Sequence, residues 1–379
     1  MMWLVLGSLV PSFIIAFLAA WAVRRWGPRF GLIDRPGHRK VHDTPMPTSG
    51  GLAIWLGMVL PLAVGHCAVL ALIGLRDSGN LPSWLPAFIT PHLDGLAQQA
   101  PRLWMLLGGG TVLMILGLVD DRRGLDWRVR LAIQTAVAAT MVLLGWRFTL
   151  FIQVQLLTAA LSVLWIVGLT NTFNMLDNMD GLSGGVGAIC AALLAAVALI
   201  APNPATQQPQ LFVGGFLLVL VGSLLGFLVH NRPPARLFMG DAGAYLIGYL
   251  LAISTLTATF ANYDAPHRIL APLCILAVPL YDTVTVIAIR LRQGRSPFVG
   301  DKSHFSHRLA ELGMTRPQAV ATIYLATATC GLGALLLHQV NLTGALVVVL
   351  VVACVLVLVG ILETAGRRGR NGKDRDEST

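Results

Sequence analysis

Eleven apolar runs, each of about 17 to 26 residues, punctuate this chain, and no other feature restricts its fold so severely. They occupy roughly residues 3–23, 50–75, 103–119, 130–146, 150–170, 185–201, 211–230, 241–261, 268–289, 318–337 and 342–362. About 20 helical residues cross the hydrocarbon core of a bilayer, where every backbone N–H and C=O must find its partner inside the protein. The runs therefore predict an all-α polytopic membrane protein with about eleven transmembrane helices. A hydrophobic share of 55% against 12% charged residues excludes an ordinary soluble domain. The first run ends at Arg24 and Arg25 without a small-residue cleavage site, so it is expected to remain as a span.

Orientation follows from the basic residues. With the N-terminus outside and the C-terminus cytoplasmic, 23 of the 27 Lys and Arg residues fall on the inner face, and only Arg76, Arg102, Arg147 and Arg268 face outward. The net charge of +9 thus reads as a cytoplasmic membrane surface and not as a nucleic-acid site. Residues 1–366 are expected to form one integral-membrane domain, and 367–379 a charged, disordered cytoplasmic tail. The outer loop 76–102, with Trp84 and Phe88 among prolines, reads as a segment lying in the interface. All five cysteines lie in apolar runs without CxxC spacing and read as small core residues.

This orientation also gathers the chemically loaded polar stretches on one face, which points to a single site at the inner membrane surface. The stretch NTFNMLDNMDGLSGG, residues 171–185, carries no Lys or Arg and spaces Asn174, Asp177 and Asp180 at i, i+3, i+6. Such oxygen donors suit Mg²⁺, although Asp and Asn capping a glycine-broken helix end would look the same. Asp120 and Asp121 precede Arg122 and Arg123; adjacent helical residues point about 100° apart, so one carboxylate could face the site while the other pairs with an arginine. A border cluster of ion pairs is the plain alternative. Asp241, among glycines in RLFMGDAGAY, reads as a Mg²⁺ ligand with an unobstructed approach for phosphate, or as an N-cap. Lys302, His304, His307 and Arg308 form a plausible pyrophosphate grip, and Lys40 and His42 of the first inner loop could orient a phosphate; either loop could instead meet lipid headgroups. Asp282 lies about two turns inside the ninth run, as a functional group or as a structural partner for an arginine.

In this order, RKVHDTPMPTSGG, GLVDDR, NTFNMLDNMDGLSGG, FMGDAGA and HFSHRL resemble the polyprenyl-phosphate N-acetylhexosamine-1-phosphate transferase family, over roughly residues 30–315. Within it the first stretch looks more like the bacterial N-acetylglucosamine-1-phosphate branch than the phospho-N-acetylmuramoyl-pentapeptide branch. The resemblance implies an enzyme of the bacterial inner membrane that passes a sugar 1-phosphate from a UDP-sugar to undecaprenyl or another polyprenyl phosphate, releasing UMP, with Mg²⁺ or Mn²⁺. It also implies that Asp241 serves the metal and Asn174 the metal or the nucleotide, Asp177 and Asp180 the donor, and Asp120 and Asp121 the lipid phosphate. The chain departs from the family pattern at Asn178, where glycine is frequent, and at Ser306, which replaces the middle histidine of His-x-His-His. A transporter would place polar residues near the bilayer midplane, where only Asp282 is well inside a span. An intramembrane aspartyl protease would need glycine where Phe238 stands, and its two motifs occur here in reversed order.

Overall fold

The described part of each apolar run lies mainly on a helix or a bent helix pair in the computed structural model, which describes residues 1–34, 45–83, 85–86, 89–148, 154–201, 203, 207–258, 265–298 and 303–376, with side chains as far as Glu363. The helices are α1 (Met2–Trp26), α2 (Gly50–Asp77), α3 (Leu93–Arg123), α4 (Trp127–Leu143) and α5 (Gln155–Leu176). After them come α6 (Leu182–Ile200), α7 (Leu211–Asn231), α8 (Gly240–Thr257), α9 (Ala271–Ile275) and α10 (Ala277–Arg292). The short α11 (Phe305–Glu311), α12 (Arg316–Leu336) and α13 (Leu342–Asp376) complete the order. The one described sheet is a two-residue ribbon, β1 (Ile33–Asp34) antiparallel to β2 (Met46–Pro47).

Among the described residues, eight helices are long and apolar enough to cross a membrane, and nine if α9 and α10, bent by 69°, are one broken span. The two other runs, α4 and α8, are helices of 17 and 18 residues. The all-α polytopic architecture therefore stands, whereas the count of eleven exceeds what helix length and composition alone support. α8 is the extreme case: every residue from Ala242 to Thr255 is buried, and it packs against α2, α3, α5, α6 and α7. It is apolar because it is surrounded by protein, and helices in this setting are held by close packing of small residues, since lipid supplies no hydrophobic drive between them. Two glycines allow that approach. A Cβ on Gly51 of α2 would come 2.2 Å from the Gly243 nitrogen, and one on Gly117 of α3 would come 2.3 Å from the Ala242 Cα.

Hydrogen bonds lock the entrance of α8 in place. Gly50 and Gly51 donate to the carbonyls of Phe238 and Met239 at 2.9 and 3.0 Å, and Phe238 donates to Pro47 at 2.9 Å. The ribbon before α2 is thereby fastened to the turn before α8. α13 continues as helical backbone to Asp376, past residue 366. Of the cysteines, Cys190, Cys274 and Cys330 are buried, whereas Cys67 and Cys354 are exposed, so the reading of all five as core residues holds for three. Trp84 and Phe88 lie outside the described residues.

Candidate active site

The ends of α3, α5, α7 and α10 and the starts of α4, α6 and α8 meet at one end of the bundle, and the acidic residues singled out above sit where they meet. The two neighbouring aspartates of α3 diverge, as helical spacing requires. Asp120 is buried; its Oδ1 accepts from the Leu125 amide at 2.7 Å, and its Oδ2 accepts from Arg130 Nη1 and from the Tyr245 hydroxyl, both at 2.9 Å. Its ion-pair partner is thus Arg130, at the start of α4, and not the adjacent Arg122 or Arg123. Asp121 instead accepts from the backbone amides of Asp241 at 2.9 Å and Ala242 at 3.5 Å, capping the N-terminus of α8. Gly240 makes this contact possible: its φ is +72°, and a Cβ there would lie 2.3 Å from Asp121 Oδ2 and 2.6 Å from Thr48 Oγ1.

Asp241, the first acidic residue of α8, joins the other half of the site. Its Oδ1 accepts from Asn174 Nδ2 at 2.6 Å, and its Oδ2 stands 4.0 Å from Arg130 Nη1. One turn deeper, Asn171 donates to Gln134 Oε1 at 2.7 Å, so the same faces of α4 and α5 carry a second polar contact. Asp177 ends α5 and is partly exposed, but the protein packed around it, with the Asp121 and Asp180 carboxylates, pushes its carboxyl up to about 8. Asp180 accepts from the Ala235 amide at 2.9 Å and braces the turn before α8.

The histidine arm reaches this cluster from the side. Phe298 stacks on Trp127 at 4.1 Å, beside Arg130 on α4. Ser306 donates to Asn178 Oδ1 at 2.5 Å, while Asn178 Nδ2 donates to the Met175 carbonyl at 3.0 Å. The two positions where the chain departs from the family pattern are therefore hydrogen-bonded to each other. His304 and His307 have ring centroids 6.4 Å apart. Arg308, expected in the pyrophosphate grip, is turned away and buried. It pairs with Glu363 of α13 at 3.0 Å and donates to Thr285 Oγ1 at 3.1 Å and to the Ser303 carbonyl. The structure thus gathers Asp120, Asp121, Asn174, Asp177, Asp180 and Asp241, links the His304 segment to them through Ser306 and Asn178, and leaves Arg308 out; Lys40, His42 and Lys302 lie outside the described residues.

Arg130 and Tyr245 are the residues that sequence reasoning missed. Tyr245 had a signal, since it follows Asp241 by four residues and so shares its helix face. Arg130 had none, being one of four arginines between residues 120 and 130.

A divalent cation fits the donor chemistry. Among the described residues no three His, Cys, Asp or Glu side chains form a ready-made cage. Yet four carboxylates, those of Asp120, Asp121, Asp177 and Asp241, share the site with Arg130 as their one described ion-pair partner. Mg²⁺ characteristically takes one or two carboxylates and completes its shell with water and substrate phosphate.

Residues 103–259 match the family model described as glycosyl transferase family 4. The chain is 32% identical to the decaprenyl-phosphate N-acetylglucosaminephosphotransferase of Mycobacterium tuberculosis (strain ATCC 25618 / H37Rv), over 96% of this chain and 89% of that one. It is 30% identical to a probable undecaprenyl-phosphate N-acetylglucosaminyl 1-phosphate transferase of Bacillus subtilis (strain 168), over 84% and 81%. With the undecaprenyl-phosphate alpha-N-acetylglucosaminyl 1-phosphate transferase of Escherichia coli (strain K12) it shares 27% identity, over 85% and 80%. The matched segment 103–259 contains the carboxylates and Arg130 but not the histidine arm.

Proposed function

Because the chain belongs to glycosyl transferase family 4, the polyprenyl-phosphate N-acetylhexosamine-1-phosphate transferases, we propose that it transfers N-acetylglucosamine 1-phosphate from its UDP donor to undecaprenyl phosphate or another polyprenyl phosphate. UMP is released, and the product opens a cell-envelope polysaccharide pathway. The reaction takes place at the cytoplasmic face of the bacterial inner membrane, in a protein of eleven spans with its N-terminus outside. The distribution of Lys and Arg supports that orientation, and the helical character of α4 and α8 is compatible with that count.

The observation that carries this reading is the Asn174–Asp241 contact of 2.6 Å beside Asp121 and Arg130, where helices far apart in sequence deliver oxygen donors and a cation to one point. In the reaction a lipid-phosphate oxygen forms a P–O bond to the β-phosphorus of the donor. The bond from that phosphorus to the bridging oxygen breaks, and its electron pair leaves on UMP. Phosphoryl transfer asks a protein mainly for positioning and charge neutralisation. A phosphate monoester, with its second pKa near ~6, is already largely ionised at neutral pH, so no strong general base is needed. Both aspartates of α3 are engaged by hydrogen bonds, Asp120 by three donors and Asp121 by the α8 amides. That supports direct attack by the lipid phosphate over an aspartyl-phosphate intermediate.

Arg130, the cation held between Asp120 and Asp241, draws the acceptor phosphate to the acidic cluster. Asp241 and Asn174 would hold Mg²⁺ or Mn²⁺, Asn174 presenting its amide oxygen after rotation. The ion supplies neutralisation of the pyrophosphate charge. Asp177 and Asp180 bind the donor, and His304 and His307 meet its phosphates.

The deciding experiment incubates membranes containing the protein with labelled UDP-N-acetylglucosamine, undecaprenyl phosphate and Mg²⁺, and measures label in the organic phase. Transfer that disappears with EDTA and in a folded Asp241→Ala variant is the expected result. Transfer only from UDP-N-acetylmuramoyl-pentapeptide would move the protein to the peptidoglycan branch. Labelled phospho-enzyme formed without lipid acceptor would overturn direct attack.

A further inference from the structure

Asp282 is a carboxylate buried at 1% exposure on α10, within an apolar run, where an ionisable side chain demands a reason. Neither oxygen is idle. Oδ1 accepts from the Phe305 amide at 2.6 Å, and Oδ2 lies 2.9 Å from His304 Nδ1. The first contact holds the chain that enters α11, and the second holds a ring. Two residues further on, Ser306 is tied to Asn178 in the loop that carries Asp177 and Asp180. His304 is thus fixed on one side to a buried carboxylate and, through its own backbone, to the acidic loop.

From this geometry we infer that Asp282 is a positioning residue for the transfer, acting through His304. With Asp282 as the accepting partner of both contacts, the imidazole donates to it from Nδ1. The Nδ1–H form is selected, and Nε2 becomes the nitrogen available to a substrate phosphate. When a phosphate dianion arrives, Nε2 takes up a proton from solvent, the same carboxylate stabilises the imidazolium so formed, and its Nε2–H donates to a phosphate oxygen. Asp282 touches neither substrate nor metal; it sets which edge of His304 does. The inference rests on the transferase reading for its consequence, but the tautomer itself is a property of the protein alone.

The test uses Asp282→Asn in the full-length protein. Asparagine keeps an oxygen for the Phe305 amide, so the entry to α11 is retained. Its NH₂ then faces Nδ1 and can only donate, which forces the proton to Nε2. Losing the orienting partner of an active histidine typically costs about 10–100-fold. We expect kcat to fall by that factor with the donor KM within about twofold. The loss should be absent when the same change is made in a His304→Gln background. An unchanged kcat, or an equal loss in both backgrounds, overturns the inference, since a purely structural role does not depend on the ring. If Asp282→Asn does not fold, ¹⁵N-histidine spectra of the unaltered protein, assigned by difference from His304→Gln, decide it. Protonation at Nδ1 is expected, and a ring protonated only at Nε2 refutes it. The same spectra remain decisive should the unaltered protein show no sugar-phosphate transfer, which would count against the transferase reading instead.

Discussion

Replacing Tyr245 by phenylalanine removes one oxygen from the centre of the site and nothing else. That hydroxyl is buried and donates to Asp120 Oδ2 at 2.9 Å, while Asp120 keeps Arg130 and the Leu125 amide. A hydrogen bond to a charged group contributes about 1.5–3 kcal/mol, and with two donors remaining the lower figure applies. About 1.5 kcal/mol corresponds to a midpoint shift of no more than roughly 3 °C in a protein of this size. If Asp120 helps orient the acceptor phosphate, the same energy appears as an approximately tenfold drop in kcat. Unfolding of the detergent-solubilised protein can be followed with a thiol-reactive fluorophore once the exposed Cys67 and Cys354 are replaced by serine, because Cys190, Cys274 and Cys330 are buried until the fold opens. The control is the pair of changes: in an Asp120→Ala background the tyrosine hydroxyl has lost its acceptor and keeps only the long 3.4 Å contact from Arg130 Nη1, so Tyr245→Phe should cost much less. Equal losses in both backgrounds, or none in either, would refute the assignment of Tyr245 as a partner of Asp120.

Three further expectations follow from other parts of the molecule. Glu363→Gln leaves Arg308 buried without its counter-charge and should destabilise by about 3 kcal/mol, whereas Arg308→Met combined with Glu363→Leu should recover most of that loss in the same thermal assay. Asp177 has its carboxyl raised from 3.8 to about 8 in the fold, so the folded protein holds a proton that the unfolded chain releases. Stability without divalent ions should therefore be greatest below pH ~4 as far as this group is concerned and decline as pH rises to about 8, and Asp177→Asn should flatten that decline. Gly240→Ala sets a methyl against Asp121 and Thr48 at a φ of +72° and should abolish transfer while leaving the membrane-inserted protein intact, as read by activity beside the thiol assay.

The sequence makes some of this legible and hides the rest for definite reasons. Apolar length announces the helices, and glycine and aspartate at their ends announce the acidic cluster. It does not distinguish α8, wholly enclosed by protein, from a helix facing lipid, because both are apolar on every side. Nor does it reveal partners brought together only by packing. Asp282 and His304 are 22 residues apart, and Arg308 and Glu363 are 55 apart, with no periodic pattern linking either pair. Arg308 in particular reads as a surface cation in a basic loop and proves to be a buried clamp.

That clamp sets an order of assembly. Translation delivers α3 to α8, and with them the complete carboxylate cluster, well before α13 emerges. The segment bearing His304 leaves the ribosome next, yet its arginine has no counter-ion until Glu363 has been made 55 residues later. The acidic half can thus be built, and the arm tied to Asp282 and Asn178, before Arg308 is paired, and that last fastening waits for the insertion of α13. A nascent chain interrupted between α12 and α13 would carry every acidic residue of the site and still lack the clasp that closes it.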